Sequence, residues 1–342
     1  MITSPAHDEV GMEAPAGEES AARHFIVGIG ASAGGLEALS QLVAHLPRDL
    51  GIPCVIVQHS SPTYRSMLVQ LLARETSLDV AEIVDGTVPL ANTVYVTPAT
   101  HNVILRGDAL RLVALEEGVV PRPSINSFFA SLAEAKNEDA IGVILSGTGS
   151  DGALGIRDIK AAGGLTFAQE PESAKYNGMP QSAIDTDCVD WVLPPDRVAE
   201  EIAALVRARG VVARPLESLS LPLTLKKLLG LVRKRTRIDF SGYKDNTLMR
   251  RIERRMTANR LTTLDDYLAF AQGNSDELDR LCRDILISVT AFFRDATAFR
   301  DLAGATARIV ERKSARDEVR VWVPGCATGE EVYSIAIVLL EA

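Results

Sequence analysis

A serine set among four glycines is the first group in this chain with the makings of a nucleophile. The run Gly28-Ile29-Gly30-Ala31-Ser32-Ala33-Gly34-Gly35 closes an apolar stretch and opens directly into an amphipathic one. A sharp turn from strand to helix there exposes Ser32 and faces helix N-terminal amides toward an oxyanion. The same run fits a phosphate-binding G-x-G-x-x-G outline loosely, through Gly28, Gly30 and Ala33, so on this run alone nucleotide binding stays open. His59 ends the apolar run 54–59, and Asp151 follows the run 140–147 within Thr148-Gly149-Ser150-Asp151-Gly152. Each has a plain structural alternative, a lone histidine after a strand and a Gly/Ser/Asp turn. Together they supply what acyl transfer needs: a nucleophile, a base, and a carboxylate that orients the base, whatever their order in the chain. A dinucleotide site expects an acidic residue where the second strand ends, and this chain has His59.

Three such residues can meet only if three strands end at one edge. From Phe25 to about Leu205, strand candidates at 25–30, 54–59, 93–98, 140–147 and 164–169 alternate with amphipathic stretches at 36–46 and 124–136. Continuous apolar strands separated by helices predict an α/β domain with a doubly wound, mostly parallel sheet, whose ligands bind at the carboxyl edge. Residues 102–115 alternate and turn at Gly107-Asp108, which predicts a hairpin. The domain is placed at 24–205, after a disordered acidic tail at 1–23.

The net charge of −9 argues against a nucleic-acid binder. No apolar run is long enough to span a membrane, and no signal peptide opens the chain, so the protein is not expected to be membrane-inserted. Cys54, Cys188, Cys282 and Cys326 are well separated, which predicts reduced thiols in the cytoplasm and no cysteine metal site.

A linker is expected at 206–222, then a nearly all-helical region at 223–300 with Asp245 or Asn246 and Thr263 as N-caps. Arg250, Arg251, Arg254 and Arg255 recur at helical spacing. They read either as a solvated helix surface or as a basic docking face for acidic helices. No aromatic residues interleave with them, as single-stranded nucleic acid would ask. From about residue 318 the pattern becomes a strand, a Gly loop and a helix start, taken as the beginning of a third, incomplete domain over 301–342.

The blocks GIGASAGGLEAL, VIVQHSSP, RPSINSFFASLAEA, LSGTGSDGALGIRDIKAAGG and YNGMPQSAI, in that order, resemble the catalytic domain of the CheB chemotaxis methylesterases. FSGYKDNTLMRRIERRM, ISVTAFFRD and VWVPGCATGEEVYSIA resemble the CheR receptor methyltransferases, whose catalytic domain is Rossmann-like. The first resemblance implies Ser32 as nucleophile, His59 as general base and Asp151 as its orienting partner, with Ala33, Gly34 and Thr148 in the oxyanion and active-site loops. It implies hydrolysis of glutamyl methyl esters on chemoreceptors or a related signalling protein without a cofactor, and glutamine deamidation as a side activity. Receptor cytoplasmic helices carry acidic methylation sites, which makes Arg250, Arg251, Arg254 and Arg255, in the stretch that resembles CheR, the expected docking face for them. The alternatives are a signalling scaffold that has lost catalysis and a nucleotide-binding regulator that uses the Gly-rich turn. The second resemblance implies S-adenosylmethionine held by Thr290, Arg294, Gly325, Gly329 and Glu331. CheB proteins usually carry a receiver domain in front, and none is expected within this chain.

Overall fold

The computed structural model describes residues 25–60, 67–115, 123–209, 221–286, 292–293, 296–314, 317–326 and 329–342. The tail at 1–23 lies outside these residues. The sheet strands are β1 (Ile26–Ala31), β2 (Cys54–Gln58), β3 (Asp79–Glu82), β4 (Thr93–Val96), β7 (Ala140–Ile144), β8 (Leu165–Gln169) and β9 (Trp191–Leu193). They form one parallel sheet in the order β3-β4-β2-β1-β7-β8-β9. β5 (His101–Arg106) and β6 (Ala109–Ala114) make the antiparallel hairpin expected around Gly107.

The helices of this part are α1 (Gly35–Ala44), α2 (Leu68–Leu72), α3 (Ile125–Lys136), α4 (Ala153–Ala162), α5 (Gly178–Ile184) and α6 (Pro195–Arg209). Residues 206–209, read from sequence as the start of a linker, complete α6. β1, β2 and β7 are buried along nearly their whole length, because helices cover both faces of the sheet. One core packs α1 and α6 on the first face through Leu39, Leu42, Val198 and Ile202. The other packs α3 and α4 on the opposite face through Ile125, Phe128, Phe129 and Ile156. α3 lies close because β1 carries glycine where a side chain would collide: a Cβ at Gly30 would sit 2.5 Å from Ile125 Cγ2.

β1 is flanked by β2 on one side and β7 on the other, so the chain reverses its winding direction at β1. In open parallel sheets this switch point leaves a crevice beyond the carboxyl ends of the strands. Ser32 follows β1, His59 follows β2, and Asp151 lies seven residues beyond β7.

The second part is helical: α7 (Leu221–Thr236), α8 (Asp245–Ala258), α9 (Leu264–Gly273) and α10 (Ser275–Leu286). They share a core of Leu228, Val232, Phe240, Ile252, Tyr267 and Leu281. Thr263 caps α9 as expected, accepting from the Asp266 amide at 3.1 Å. α8 differs from expectation. Its N-cap is Lys244, without a side-chain cap, and Asp245 instead places its charge in the first turn near the positive helix end.

α11 (Ala296–Val310) and α12 (Glu330–Glu341) follow. The strand expected after residue 318 is not formed: residues 317–323 are irregular. A lone strand has no ladder to complete, and no other strand of this region lies among the described residues. The helix start was read correctly, with Gly329 as the left-handed N-cap of α12 at φ 102°.

Candidate active site

Strand register brings the first two residues together. β1 and β2 run parallel with Ala31 opposite Gln58, so the next residues, Ser32 and His59, leave the sheet side by side. The ladder continues past the strands. His59 N–H donates to Ala31 O at 3.0 Å, and Ser32 N–H donates to Ser146 O at 2.9 Å. The turn after Ser32 then depends on Gly34, which adopts φ 71° and is the N-cap of α1. A Cβ there would stand 2.8 Å from Ser146 Oγ and 2.9 Å from Lys175 Cβ, besides the backbone strain.

Asp151 closes on His59. Its Oδ2 accepts from His59 Nε2 at 2.8 Å, and the two side chains are 5% and 11% exposed. A carboxylate only accepts, so Nε2 is the donor in this hydrogen bond, and Nδ1 is the ring nitrogen left to serve as base. The Asp151 carboxylate also sits on the N-terminus of α3. Oδ2 accepts from the Ile125 amide at 2.8 Å and Oδ1 from the Asn126 amide at 3.0 Å. Burial alone would raise its pKa. The hydrogen bond from His59 and the two helix amides outweigh that, and the carboxyl is held below its ordinary value. The site therefore keeps a charged, fixed carboxylate behind the imidazole.

Two positioning residues escaped the sequence reading. Asn126 returns the favour that α3 does Asp151: its Oδ1 accepts from the amides of Gly152 and Gly155 at 3.0 and 2.9 Å, capping α4 just after Asp151. Ser146, 1% exposed, donates its hydroxyl to Ala33 O at 2.9 Å and accepts from the Tyr176 amide at 3.0 Å. It ties the turn beside Ser32 to the end of β7 and to the segment before α5. Asn126 lay within a helix stretch that had been recognised, but only the fold reveals that it faces a second helix start. Ser146 sat within an apolar run and read as a strand end.

Ser32, Ala33, Gly34, Gly35, Leu36, Glu37, Gln58 and Lys175 line an open cavity of about 510 Å³. Thr148 is exposed on the loop between β7 and Asp151 and does not line it.

The other expected site residues fall elsewhere. Thr290 and Arg294 lie outside the described residues. Gly325, at φ 69°, and Gly329 bracket the loop before α12, and Glu331 is in that helix's first turn. The basic docking face is a correction. Arg250 is exposed, but Arg251, Arg254 and Arg255 are only 5%, 3% and 3% exposed. Their helical spacing does place them on one face, and that face meets buried carboxylates and carbonyls of this same chain. Those partners lie far away in sequence, which is why spacing alone suggested solvent.

Comparison with known proteins agrees with this layout. The model of the CheB methylesterase family matches residues 27–202, just over half of the chain. That of the CheR all-alpha domain matches residues 223–286, and that of the CheR SAM-binding domain residues 288–342. A protein-glutamate methylesterase/protein-glutamine glutaminase of Carboxydothermus hydrogenoformans is 40% identical over 52% of this chain and 54% of its own length. An uncharacterized 104.1 kDa protein of Rhodobacter capsulatus is 35% identical over 80% of this chain but only 31% of its own. The chain thus spans from about a third to about half of the length of these relatives. The crystal structure of the Thermotoga maritima CheB methylesterase catalytic domain superposes with a TM-score of 0.52 at 31% identity, covering 53% of this chain and 98% of that one. The chain belongs to the CheB methylesterase family, and CheR methyltransferase sequence, all-α domain first, follows its methylesterase domain.

Proposed function

We propose that the chain hydrolyses glutamyl methyl esters on the cytoplasmic helices of chemoreceptors, or of a related signalling protein, through an acyl-enzyme on Ser32. The observation that carries this reading is the His59–Asp151 pair, fixed beside Ser32 at the carboxyl edge of the sheet. His59 Nδ1 takes the proton as Ser32 Oγ attacks the ester carbonyl. That proton leaves with methanol as the tetrahedral intermediate collapses. Water, deprotonated by the same imidazole, then attacks the acyl-serine and releases the glutamate carboxylate. The amides of Ala33 and Gly34, in the turn beside Ser32, are the candidate donors to the oxyanion. Deamidation of glutamine by the same steps would release ammonia, in line with the glutaminase named in the relatives' descriptions.

The CheR-type part fits S-adenosylmethionine in what its residues offer. The two positive-φ glycines let the loop backbone approach a ligand, and Glu331 supplies a carboxylate at the start of α12. Gly325, Gly329 and Glu331, with Thr290 and Arg294, would hold the cofactor, which when bound supplies the methyl group for glutamate O-methylation.

The test is methanol release from a methylated receptor cytoplasmic fragment by the purified chain. Release well above that of the boiled protein is expected. A chain that is folded by circular dichroism yet releases none, with the native fragment as substrate, refutes the reading and favours the scaffold alternative.

A further inference from the structure

We infer that helix α8 and the carboxyl end of α4 form a buried electrostatic lock that holds the all-α domain to the methylesterase sheet as one body, in one orientation. The methylesterase side offers Lys160, in the last turn of α4, and Asp190, just before β9, paired with each other at 2.6 Å. The all-α side offers Arg254 and Arg255 from α8, and Glu277 and Asp284 from α10. The pairs cross between the domains. Arg254 bridges Asp190 and Asp284, Lys160 reaches Asp284 at 3.0 Å, and Arg255 approaches Asp190 at 3.6 Å while gripping Glu277 with Nε and Nη2 at 2.8 and 2.6 Å. All six side chains are 5% exposed or less.

Buried charge is tolerable only when it is balanced and hydrogen-bonded. Among the side chains paired with one another, three cations face three anions, and a fourth buried cation, Arg251, is held by a carbonyl. Burial would raise the Asp190 carboxyl, but the charges of Arg254, Lys160 and Arg255 prevail and hold it well below the usual carboxylate range. A helix adds the remaining complement. The last carbonyls of an α-helix lack partners and carry partial negative charge. Arg251 Nη1 donates at 3.0 Å to Lys160 O in the last turn of α4, which also accepts from the Gly163 amide, and Arg254 Nε donates at 2.8 Å to Gly164 O, two residues past the helix. Ala258, at the end of α8, packs against the core under α1 and α6. At the rim, exposed Arg260 meets Glu201 of α6 at 2.5 Å.

Domain contacts within a chain are ordinarily mobile unless large and apolar. This one is restrained differently. Sliding or rotating α8 by one turn would strand buried charges without partners, so the alternatives are costly and a single orientation is selected. While the lock is closed, the α8 face bearing Arg251, Arg254 and Arg255 is unavailable to any partner.

Hydrogen exchange on the full chain tests the lock by looking across it, with no dependence on ester hydrolysis. Asp284→Asn, in the all-α domain, is expected to speed exchange of the amides of residues 163–166 and 189–191 in the methylesterase domain at least tenfold. Asp190→Asn is expected to do the same for amides 251–256 of α8, and the double variant to exceed neither single one by much, since both act on the same cations. Amides of β1 and β7 report whether the sheet remains folded. Arg251→Gln, which removes only the bond to the Lys160 carbonyl, is the milder variant and should speed Gly163 and Gly164 severalfold. Exchange that changes only in the domain bearing the substitution, in all three variants, would overturn the proposal.

Discussion

Replacing Ser32 by alanine is expected to lower methylesterase kcat/KM on the order of a thousandfold or more, leaving the fold in place. The serine's structural duties are backbone ones: its amide donates to Ser146 O at 2.9 Å and its carbonyl accepts from the Gly35 amide at 2.9 Å. Alanine keeps both bonds and the turn. What it lacks is the oxygen that must form the acyl-enzyme, and no neighbouring side chain replaces it along this route. Methanol release from a methylated receptor fragment measures the loss, and the thermal midpoint checks the fold. A variant within tenfold of the parent would remove Ser32 from the mechanism.

Asp151→Asn is expected to cost about a thousandfold to ten-thousandfold in kcat, with KM little changed. Each carboxylate oxygen serves two donors: Oδ2 takes His59 Nε2 and the Ile125 amide, and Oδ1 takes the amides of Asn126 and Gly152. Asparagine has one acceptor oxygen. If that oxygen takes the Oδ1 place, its NH2 group confronts the imidazole and the Ile125 amide, and the tautomer reverses, putting a proton on the nitrogen that should accept one from Ser32. If it takes the Oδ2 place, the NH2 group confronts the amides of Asn126 and Gly152, which lose their acceptor. Either way the variant should also melt lower at neutral pH. The pH dependence follows from the direction of the Asp151 shift. Its carboxyl is lowered in the folded state, so its contribution is fully present above the unfolded value of about 3.9. That contribution is lost as pH falls through the lower folded value. The melting difference between parent and variant should therefore persist through mildly acidic pH and narrow only in strong acid. Equal melting points at pH 7 together with unchanged kcat would make Asp151 a turn residue.

Much of this arrangement was legible in the residues because it is local. The apolar runs that became β1, β2, β4, β7 and β8 are each long enough to read alone. The three candidate catalytic side chains each stand just past such a run. β3 and β9 were missed for the converse reason. Asp79–Glu82 carries charge at both ends on a half-exposed edge, and Trp191–Leu193 is only three residues long. Neither makes a periodic signal, and each is a strand only because a neighbour offers a ladder. The strand expected near Val319 shows the opposite case, a good local pattern without a partner.

The largest misreading came from charge. Arg251, Arg254 and Arg255 look like a solvent face because arginine is seldom buried unless paired. Arg254 and Arg255 meet Asp190, Glu277 and Asp284, 22 to 65 residues away on other elements, and Arg251 meets the carbonyl of Lys160, 91 residues away. Asn126 was unreadable on similar grounds. Its side chain caps a helix that begins 27 residues later, and that proximity exists only after α3 has packed against the glycines of β1.

The most direct test of the account is covalent trapping of the nucleophile. The full chain is treated with a fluorophosphonate and mapped by mass spectrometry while ester hydrolysis is followed in parallel. A single adduct is expected on the peptide bearing Ser32, formed in step with the loss of methanol release and absent from Ser32→Ala. Loss of activity with the adduct on another residue, or continued ester hydrolysis after Ser32 is fully modified, would contradict it.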